Sequence, residues 1–259
     1  MALLKLPKYV ELPGGVAPIV GCRKGDIAPL VILTNFRDHV HRSAAVLDAV
    51  TFRTDAGWEV STLTGPYRGT PVTVCSAGIG AGATANVMED LINLGGKVFV
   101  QIGATGAIQQ RIGMGDVVIP TAAVRDEGTS RYYAPKQYPA VADYRVVAAL
   151  AAAARKAGNT VHTGIVRTTD GFYASQRIEK YVARYNAIGV LSVEQEVAAI
   201  LTVASCRGCH AGATLLAIGN LVTGQHSFNG DRPDLVETAW FEQIHFALDA
   251  LLALKDDLV

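Results

Sequence analysis

The sequence has few cysteines, no long apolar run and no excess charge of either sign. Four cysteines among 259 residues are too few for a disulfide framework in a chain of this length. No stretch reaches the roughly 18 consecutive apolar residues that a membrane-spanning helix needs. The N-terminal sequence MALLKLPKYVELPGG is too rich in proline and too poor in apolar runs for a signal peptide. We therefore expect a cytoplasmic protein that does not bind a membrane.

Charge is balanced over the whole chain. Twenty-three basic and 23 acidic residues give a formal net charge of zero, so no overall field favours a polyanion. We therefore expect no nucleic-acid partner, and any anion that the protein binds must be held by a local site.

Two of the cysteines stand in a pattern that is typical of covalent haem attachment, Cys206-Arg-Gly-Cys209-His210. The surrounding sequence, AAILTVASCRGCHAGATLLAIGN, instead indicates a helix that turns into an apolar strand, and such a haem normally needs an export signal. The other histidines have no spacing that is typical of a metal site. We therefore predict ordinary packing at a helix end and expect no metal and no cofactor.

Strand-like and helix-like segments alternate along the chain. Half of the 259 residues are apolar and no linker or repeat interrupts them, so we expect a single domain over residues 1–259. Val50–Arg53 and Glu59–Tyr67 have the pattern of antiparallel strands, with a turn predicted at Gly65-Pro66. The other strands are joined through helices, which implies parallel pairing. The economical fold is a three-layer α/β/α sandwich with a mainly parallel, mixed central sheet.

The segment from residue 71 to 120 indicates where a ligand would bind in this fold. A strand at Val72–Cys75 precedes a glycine-rich turn and a helix that stops at Gly95, and the next strand is Val98–Ile102. The small residues Gly103–Gly106 then predict a loop. Small residues just past two strand ends let a ligand approach the backbone, which is where open α/β sheets bind their ligands.

Two carboxylates, Glu194 and Glu196, flank Gln195 at the end of a predicted buried strand. Burying a charge costs several kcal/mol unless the charge meets a partner. The adjacent hydroxyls of a sugar would be suitable partners, because a carboxylate accepts hydrogen bonds. The alternative is a solvated helix start, where acidic residues suit the helix dipole.

Six motifs occur in the order and at the spacing known from one family of enzymes. They are CSAGIGAGAT, QIGATGAI, GDVVIPTAAVRDEG, YAPKQYPAVADY, TTDGFYASQ and VEQEVAAIL. On these motifs the chain resembles the nucleoside phosphorylases, which include uridine phosphorylase and the hexameric purine nucleoside phosphorylases, over roughly residues 20–255. The resemblance implies the fold of that family, and within the family the motifs are most similar to those of uridine phosphorylases.

The resemblance implies contacts to the sugar and the base. Glu196 corresponds to the glutamate that holds the ribose, with Glu194 and Gln195 beside it. Phe172 would lie against a planar base, and Gln176 would hydrogen-bond to it, because a carboxamide complements the neighbouring C=O and N–H groups of uracil. The alternative for this loop is a hinge or lid aromatic with a surface glutamine.

Further positions bear on the identity of the base. The family has an arginine two positions after the loop glutamine, where this chain has Ile178, so Arg177 becomes the candidate for that contact. Asn220 stands near the position where purine phosphorylases of the family carry an acid that protonates the purine, which favours a pyrimidine. The alternative for Asn220 is a turn at a strand end. Thr105 is a further candidate for contact with the substrate.

The resemblance also implies a phosphate site, and this site is depleted. Arg53 corresponds to the arginine that a neighbouring subunit contributes. Two further arginines of the family are replaced in this chain, one by His39, with Arg37 nearby, and the other by Gln101. Ala104 stands where the family has a residue with a hydroxyl. Each charged hydrogen bond is worth about 1.5–3 kcal/mol, so these losses weaken phosphate binding unless Arg37 or His39 compensates. The candidate phosphate ligands are Asn35, Arg37, His39, Arg53, Gly103, Ala104 and Thr105.

Three functions remain open at the level of the sequence. The preferred hypothesis is a nucleoside phosphorylase that cleaves a pyrimidine nucleoside, with Glu196, Gln176 and Arg53 as its catalytic residues and phosphate as its co-substrate. A nucleosidase that uses water, or a binder of nucleosides or nucleobases without catalysis, would also suit a depleted phosphate site. The resemblance further implies a homodimer or a hexamer built as a trimer of dimers with shared active sites, because Arg53 serves a site only if a neighbour brings it.

Overall fold

The computed structural model describes residues 9–55, 59–173 and 178–258, without the side chains of residues 233–240. In this part of the chain, eleven strands alternate with six α-helices. The strands are β1 (Leu30–Thr34), β2 (Phe52–Asp55), β3 (Ser61–Tyr67), β4 (Thr70–Ser76), β5 (Val98–Ala107), β6 (Val117–Asp126), β7 (Ala140–Val141), β8 (Val161–Thr169), β9 (Ser192–Glu194), β10 (His210–Asn220) and β11 (Gln225–His226). The helices are α1 (Arg37–Ser43), α2 (Ala81–Asn93), α3 (Tyr144–Lys156), α4 (Ile178–Ala187), α5 (Val197–Arg207) and α6 (Pro233–Leu258).

The strands form one mixed sheet. β1 lies between β4 and β5 and is parallel to both, and β10 is parallel to β5 along the opposite edge of that strand. β3 and then β2 extend the sheet beyond β4 in antiparallel pairing. On the other side, β5, β10, β6, β8 and β9 close into a ring, because β10 also pairs with β6, and β9 pairs with both β8 and β5. The predicted mixed central sheet is confirmed.

Helices cover both faces of this sheet. Met88 and Leu91 of α2 and Ile200 of α5 are fully buried on one face, and Leu150 of α3 and Leu248 of α6 are fully buried on the other. Burial of such side chains is worth about 1.5–3 kcal/mol each, so the two clusters hold the layers together. This arrangement confirms the predicted three-layer sandwich. No helix in the described ranges combines the length and the apolar character needed to cross a membrane.

The start of α3 shows how local sequence sets a helix boundary. Asp143 precedes the helix in an extended conformation, and its carboxylate accepts a hydrogen bond from the backbone N–H of Arg145 at 2.9 Å. That contact satisfies one of the N–H groups that have no partner within the helix. The helix therefore begins at Tyr144, directly after this cap.

Two predicted interruptions of strands are wrong. Gly103–Gly106 is not a loop, because its backbone continues β5 and pairs with β10 on one edge and, at Gly106, with β9 on the other. Gly65-Pro66 is not a turn but lies inside β3, opposite β4. Residues 48–51 run beside this part of β3, with hydrogen bonds from Asp48 N to Pro66 O and from Thr51 N to Thr64 O. Glycine at position 65 allows that close approach.

We predict that Gly65→Ala destabilises the fold. A Cβ at this position would lie 1.9 Å from the carbonyl oxygen of Ala49, which belongs to a hydrogen-bonded backbone segment and cannot move aside cheaply. The free energy of unfolding, measured by urea denaturation, should fall by about 2 kcal/mol or more. Gly113→Ala is the matched control, because its Cβ would meet Asp116 at 3.6 Å, an ordinary contact. Equal stability of the two variants would contradict the tight approach at Gly65.

Candidate active site

The two carboxylates singled out in the sequence lie at the start of α5, and they differ in what their side chains do. Glu194 is the last residue of β9, and its side chain lies against the first turn of α5. Its Oε2 accepts hydrogen bonds from the backbone N–H groups of Glu196 at 2.6 Å and Val197 at 2.7 Å. Its Oε1 accepts a hydrogen bond from the hydroxyl of Thr168 in β8. Glu194 therefore satisfies the first N–H groups of α5 and ties β8 to β9.

Glu196 occupies the N-cap position of α5, but its own side chain makes no capping hydrogen bond. Its Oε1 accepts a hydrogen bond from the backbone N–H of Gly80 at 2.6 Å, and its Oε2 lies 3.4 Å from Nε2 of Gln101. Gly80 begins α2 with φ at 96°, a conformation that favours glycine, so the glycine-rich turn directs an N–H group at the carboxylate. Because Glu194 accepts the hydrogen bonds of the first N–H groups of α5, the Glu196 carboxylate is not needed there and faces α2 and β5.

Both carboxylates are buried, each with 5% of its surface exposed. Burial raises the pKa of both groups above the usual range, and the charge of Glu196 raises the pKa of Glu194 further. Hydrogen bonds from Gly80, Gln101 and Asn35 act in the opposite direction and favour the ionised form of Glu196 by lowering its pKa. The burial rules out the alternative in which the pair forms a solvated helix start.

Small and amide-bearing residues surround the Glu196 carboxylate. Asn35, which follows β1, donates from Nδ2 to the carbonyl oxygen of Gly78 at 3.0 Å. A Cβ on Gly103 would lie 3.4 Å from Oδ1 of Asn35 and 3.5 Å from Nε2 of Gln101. Neighbouring Ala104 is half-buried. The carboxyl end of β1, the middle of β5 and the glycine-rich turn thus meet around Glu196, as expected for a ligand site of an α/β sheet.

The loop that carries Phe172 lies next to Gln195. Nε2 of Gln195 is 3.5 Å from the carbonyl oxygen of Asp170, two residues before Phe172. The Phe172 ring is 55% exposed and makes edge contacts with Tyr173 at 4.8 Å and Phe228 at 6.5 Å between ring centroids. Gln176 and Arg177 lie outside the described residues. Phe172 is therefore part of an exposed aromatic group beside the residue that precedes Glu196.

Thr105 and Asn220 are buried and engaged within the chain. The Thr105 hydroxyl donates to the carbonyl oxygen of Val193 at 2.8 Å and so links β5 to β9. The Asn220 amide donates to the carbonyl oxygens of Gln109 and Ile112 at 3.0 and 2.8 Å, and its Oδ1 accepts from two backbone N–H groups of the following turn. The geometry of Asn220 is that of the turn at a strand end, the alternative raised by the sequence.

Among the described residues, the candidate cations Arg37 and Arg53 have partners other than Glu196. Arg37 donates from Nη1 to Glu59 at 2.7 Å and from Nε to Ser61 at 2.9 Å. Arg53 lies on β2, with Nη2 3.5 Å from Asp55 and 48% of its side chain exposed. Four strand spacings separate β2 from β5, which corresponds to about 19 Å. Arg53 therefore cannot reach the Glu196 site of its own chain.

His39 faces the other side of the sheet. Its Nδ1 lies 2.8 Å from the hydroxyl of Thr34, and it borders a small void with Ile102 and with Ile244 of α6. Ile102 follows Gln101 in β5, and successive strand residues point to opposite faces, so His39 is on the α6 face and Glu196 is not. Burial lowers the pKa of His39 to about 4, and its imidazole is neutral at pH 7. The chain thus supplies amides where the resemblance implied cations.

Three partners of the carboxylates were missed in the sequence. The glycine-rich turn indicated that the N–H of Gly80 is free to bind a partner, but it did not indicate that this partner is Glu196. Gln101 was noted as a replacement for arginine and not as a partner of Glu196, and nothing in the sequence connects Thr168 with Glu194.

Among the described residues, no group of three or more His, Cys, Asp or Glu side chains is arranged to hold a metal ion. Cys206 and Cys209 lie at the end of α5, near the backbone carbonyls of Tyr133 and Gly96.

Comparisons with known proteins agree with this geometry. The family described as the phosphorylase superfamily matches residues 29–251. The chain is 37% identical to the uridine phosphorylase of Escherichia coli (strain K12) over 215 residues, which cover 78% of this chain and 85% of that enzyme. It is 35% identical to the uridine phosphorylase of Thermococcus kodakarensis over 227 residues, 82% of this chain and 80% of that enzyme. A guanosine phosphorylase of Halorubrum lacusprofundi is 32% identical over 216 residues, 83% of this chain and 88% of that enzyme.

The mixed sheet between two helical layers and the buried carboxylate at the start of α5 define the class, and the family match extends over most of the chain. The chain belongs to the phosphorylase superfamily. The resemblance to nucleoside phosphorylases is thereby confirmed, and with it the prediction of an enzyme, a pentosyltransferase.

We predict that Glu194→Gln removes a pH-dependent loss of stability. The pKa of Glu194 is raised in the folded state, so the wild-type protein loses free energy of unfolding as the pH rises through that raised pKa. Urea denaturation between about pH 4 and pH 8 should show that the free energy of unfolding of the variant rises relative to that of the wild type as the pH increases. Glu179→Gln, which changes an exposed carboxylate of α4, is the control. A difference between Glu194→Gln and wild type that does not change with pH would contradict the prediction.

Proposed function

We propose that this enzyme cleaves the N-glycosidic bond of a pyrimidine nucleoside such as uridine with phosphate, and releases the free base and ribose 1-phosphate. The observation that carries the proposal is the Glu196 carboxylate. It is buried, is held by the N–H of Gly80 and the amide of Gln101, and is not used to cap its own helix. The similarity to uridine phosphorylases supports the choice of substrate.

In the proposed reaction, Glu196 holds the ribose by accepting a hydrogen bond from one of its hydroxyls. The bond between C1′ and the base nitrogen breaks, and its electron pair leaves with the base. A phosphate oxygen attacks C1′ from the other side and forms the new C–O bond. Positive charge develops on the sugar in between, and a carboxylate fixed nearby in a site of low dielectric stabilises it.

The base contacts are assigned to the loop that contains Phe172. The aromatic ring would lie against the base, and Gln176, with Arg177, would stabilise the negative charge on the departing ring. A pyrimidine is favoured because Asn220, not an acid, stands near the position from which purine phosphorylases protonate their base. The Asn220 amide is already used by four hydrogen bonds within the chain, which supports a structural role for it.

Phosphate would be bound across a subunit interface. Within the chain, the surroundings of Glu196 contain the amides of Asn35 and Gln101 and the small residues Gly103 and Ala104, which offer no positive charge. Arg53 is exposed on β2 and too far from its own site, so it would serve the site of a neighbouring copy. We therefore propose a homodimer, or a hexamer that is a trimer of dimers, with shared active sites.

The first test is cleavage of uridine with and without phosphate, followed by chromatography of the products. We expect uracil and ribose 1-phosphate, and a rate that requires phosphate. Glu196→Gln should lower kcat/KM by about 100-fold or more, because it removes a charge that acts on the transition state. Glu242→Gln, which changes an exposed carboxylate of α6 on the other face of the sheet, is the control. A rate that is indifferent to phosphate would point to hydrolysis and contradict the proposal.

The second test is complementation between two inactive variants, Arg53→Ala and Glu196→Gln. If each site combines Glu196 of one copy with Arg53 of the other, a mixed dimer regains one intact site. Refolding the two variants together in equal amounts should restore about a quarter of wild-type activity, as expected for random pairing of two copies. Mixing without refolding is the control. Activity that stays at the level of the separate variants would show that Arg53 does not act across an interface.

A further inference from the structure

Only one of the two polar atoms of the Gln101 amide has a hydrogen-bond partner among the described residues. Its side chain is 2% exposed, and Nε2 lies 3.4 Å from Oε2 of Glu196. Its carbonyl oxygen, Oε1, is buried and has no hydrogen-bond partner among the described residues. Buried polar atoms in native proteins are nearly always paired, so an unpaired acceptor at the edge of a ligand site indicates a group that a ligand completes.

The orientation of this amide follows from the chemistry of its neighbour. An ionised carboxylate has only acceptors, so the NH₂ group of Gln101 must face Glu196 and the carbonyl oxygen must point elsewhere. Gly103 lies alongside, and a Cβ there would be 3.5 Å from Nε2 of Gln101. No side chain therefore separates the amide from the backbone of β5 next to the half-buried Ala104.

We infer that Oε1 of Gln101 accepts a hydrogen bond from the 2′-hydroxyl of the pentose, next to the 3′-hydroxyl held by Glu196, and that Gln101 thereby selects ribose over 2′-deoxyribose. The inference rests on the proposed function. A vicinal diol presents two adjacent donors. Nε2 of Gln101 contacts the Glu196 carboxylate, and Oε1 belongs to the same amide group, so the two side chains offer one acceptor to each hydroxyl. An arginine at this position could bind an anion but could not accept a hydrogen bond.

The consequence is a specific preference among substrates. A nucleoside without the 2′-hydroxyl would leave the Gln101 carbonyl buried and unpaired, and leaving a buried acceptor unsatisfied is costly. The wild-type enzyme should therefore prefer uridine over 2′-deoxyuridine in kcat/KM by roughly 5- to 150-fold.

The test uses two variants with different remaining chemistry. Gln101→Met keeps the length of the side chain without donor or acceptor, and Gln101→Arg keeps donors for Glu196 but has no acceptor. Both should lower the preference for uridine over 2′-deoxyuridine by about 3- to 10-fold. The preference is a ratio measured on one preparation, so a partly folded variant still reports it. Titration calorimetry of the two nucleosides without phosphate gives the corresponding ratio of Kd values.

Gln109→Met is the matched control. Gln109 is also a buried glutamine, but its amide is paired with the carbonyl oxygens of Asn186 and Val190, away from Glu196. This variant should keep the wild-type preference.

Three outcomes would overturn the inference. An unchanged preference in both Gln101 variants would show that Gln101 does not contact the sugar. An unchanged preference with a raised KM for phosphate in Gln101→Met would assign the carbonyl to a hydroxyl of the phosphate. If the wild type cleaves both nucleosides and does not prefer uridine, the inference fails while the proposed function stands. Cleavage of neither nucleoside would remove the proposed function itself.

Discussion

The structure depends on the burial of two carboxylates at the start of one helix. Each buried charge needs donors, and the two glutamates obtain them from different elements. Glu194 takes the first N–H groups of α5 and the Thr168 hydroxyl, and Glu196 takes the N–H of Gly80 and the amide of Gln101. β8, β9, α5, α2 and β5 are thereby connected at a single point, which is also the point where a substrate would be held.

The described residues that contact Glu196 are polar and uncharged, namely the N–H of Gly80 and the amides of Gln101 and Asn35. Amides replace cations, and the two candidate arginines of the phosphate site have other partners, Glu59 for Arg37 and Asp55 for Arg53. A site of this kind suits the neutral hydroxyls of a sugar better than it suits a dianion. In the proposed enzyme the charge of phosphate would therefore be balanced from outside the chain, and catalysis would depend on how two copies associate.

Much of the fold and one feature of the site could be predicted from the sequence. Strands and helices are set by local patterns, as at α3, where Asp143 caps the first turn. Glu196 stood out because a charge at the end of an apolar strand requires a partner. The order of the motifs was sufficient for the family, since it reflects the whole chain and not one contact.

The rest was decided by tertiary structure, because it depends on neighbours that are distant in sequence. Gly103–Gly106 is a strand because β9 and β10 pair with it, and no local signal encodes that pairing. His39 faces α6 and not Glu196, because it borders Ile102 and Ile244 on the other side of β5. Thr105 and Asn220 are engaged by backbone groups of other elements. The sequence by itself determined which groups need partners, and only the folded chain decided which partners they have, because hydrogen bonds and burial are properties of contacts in space.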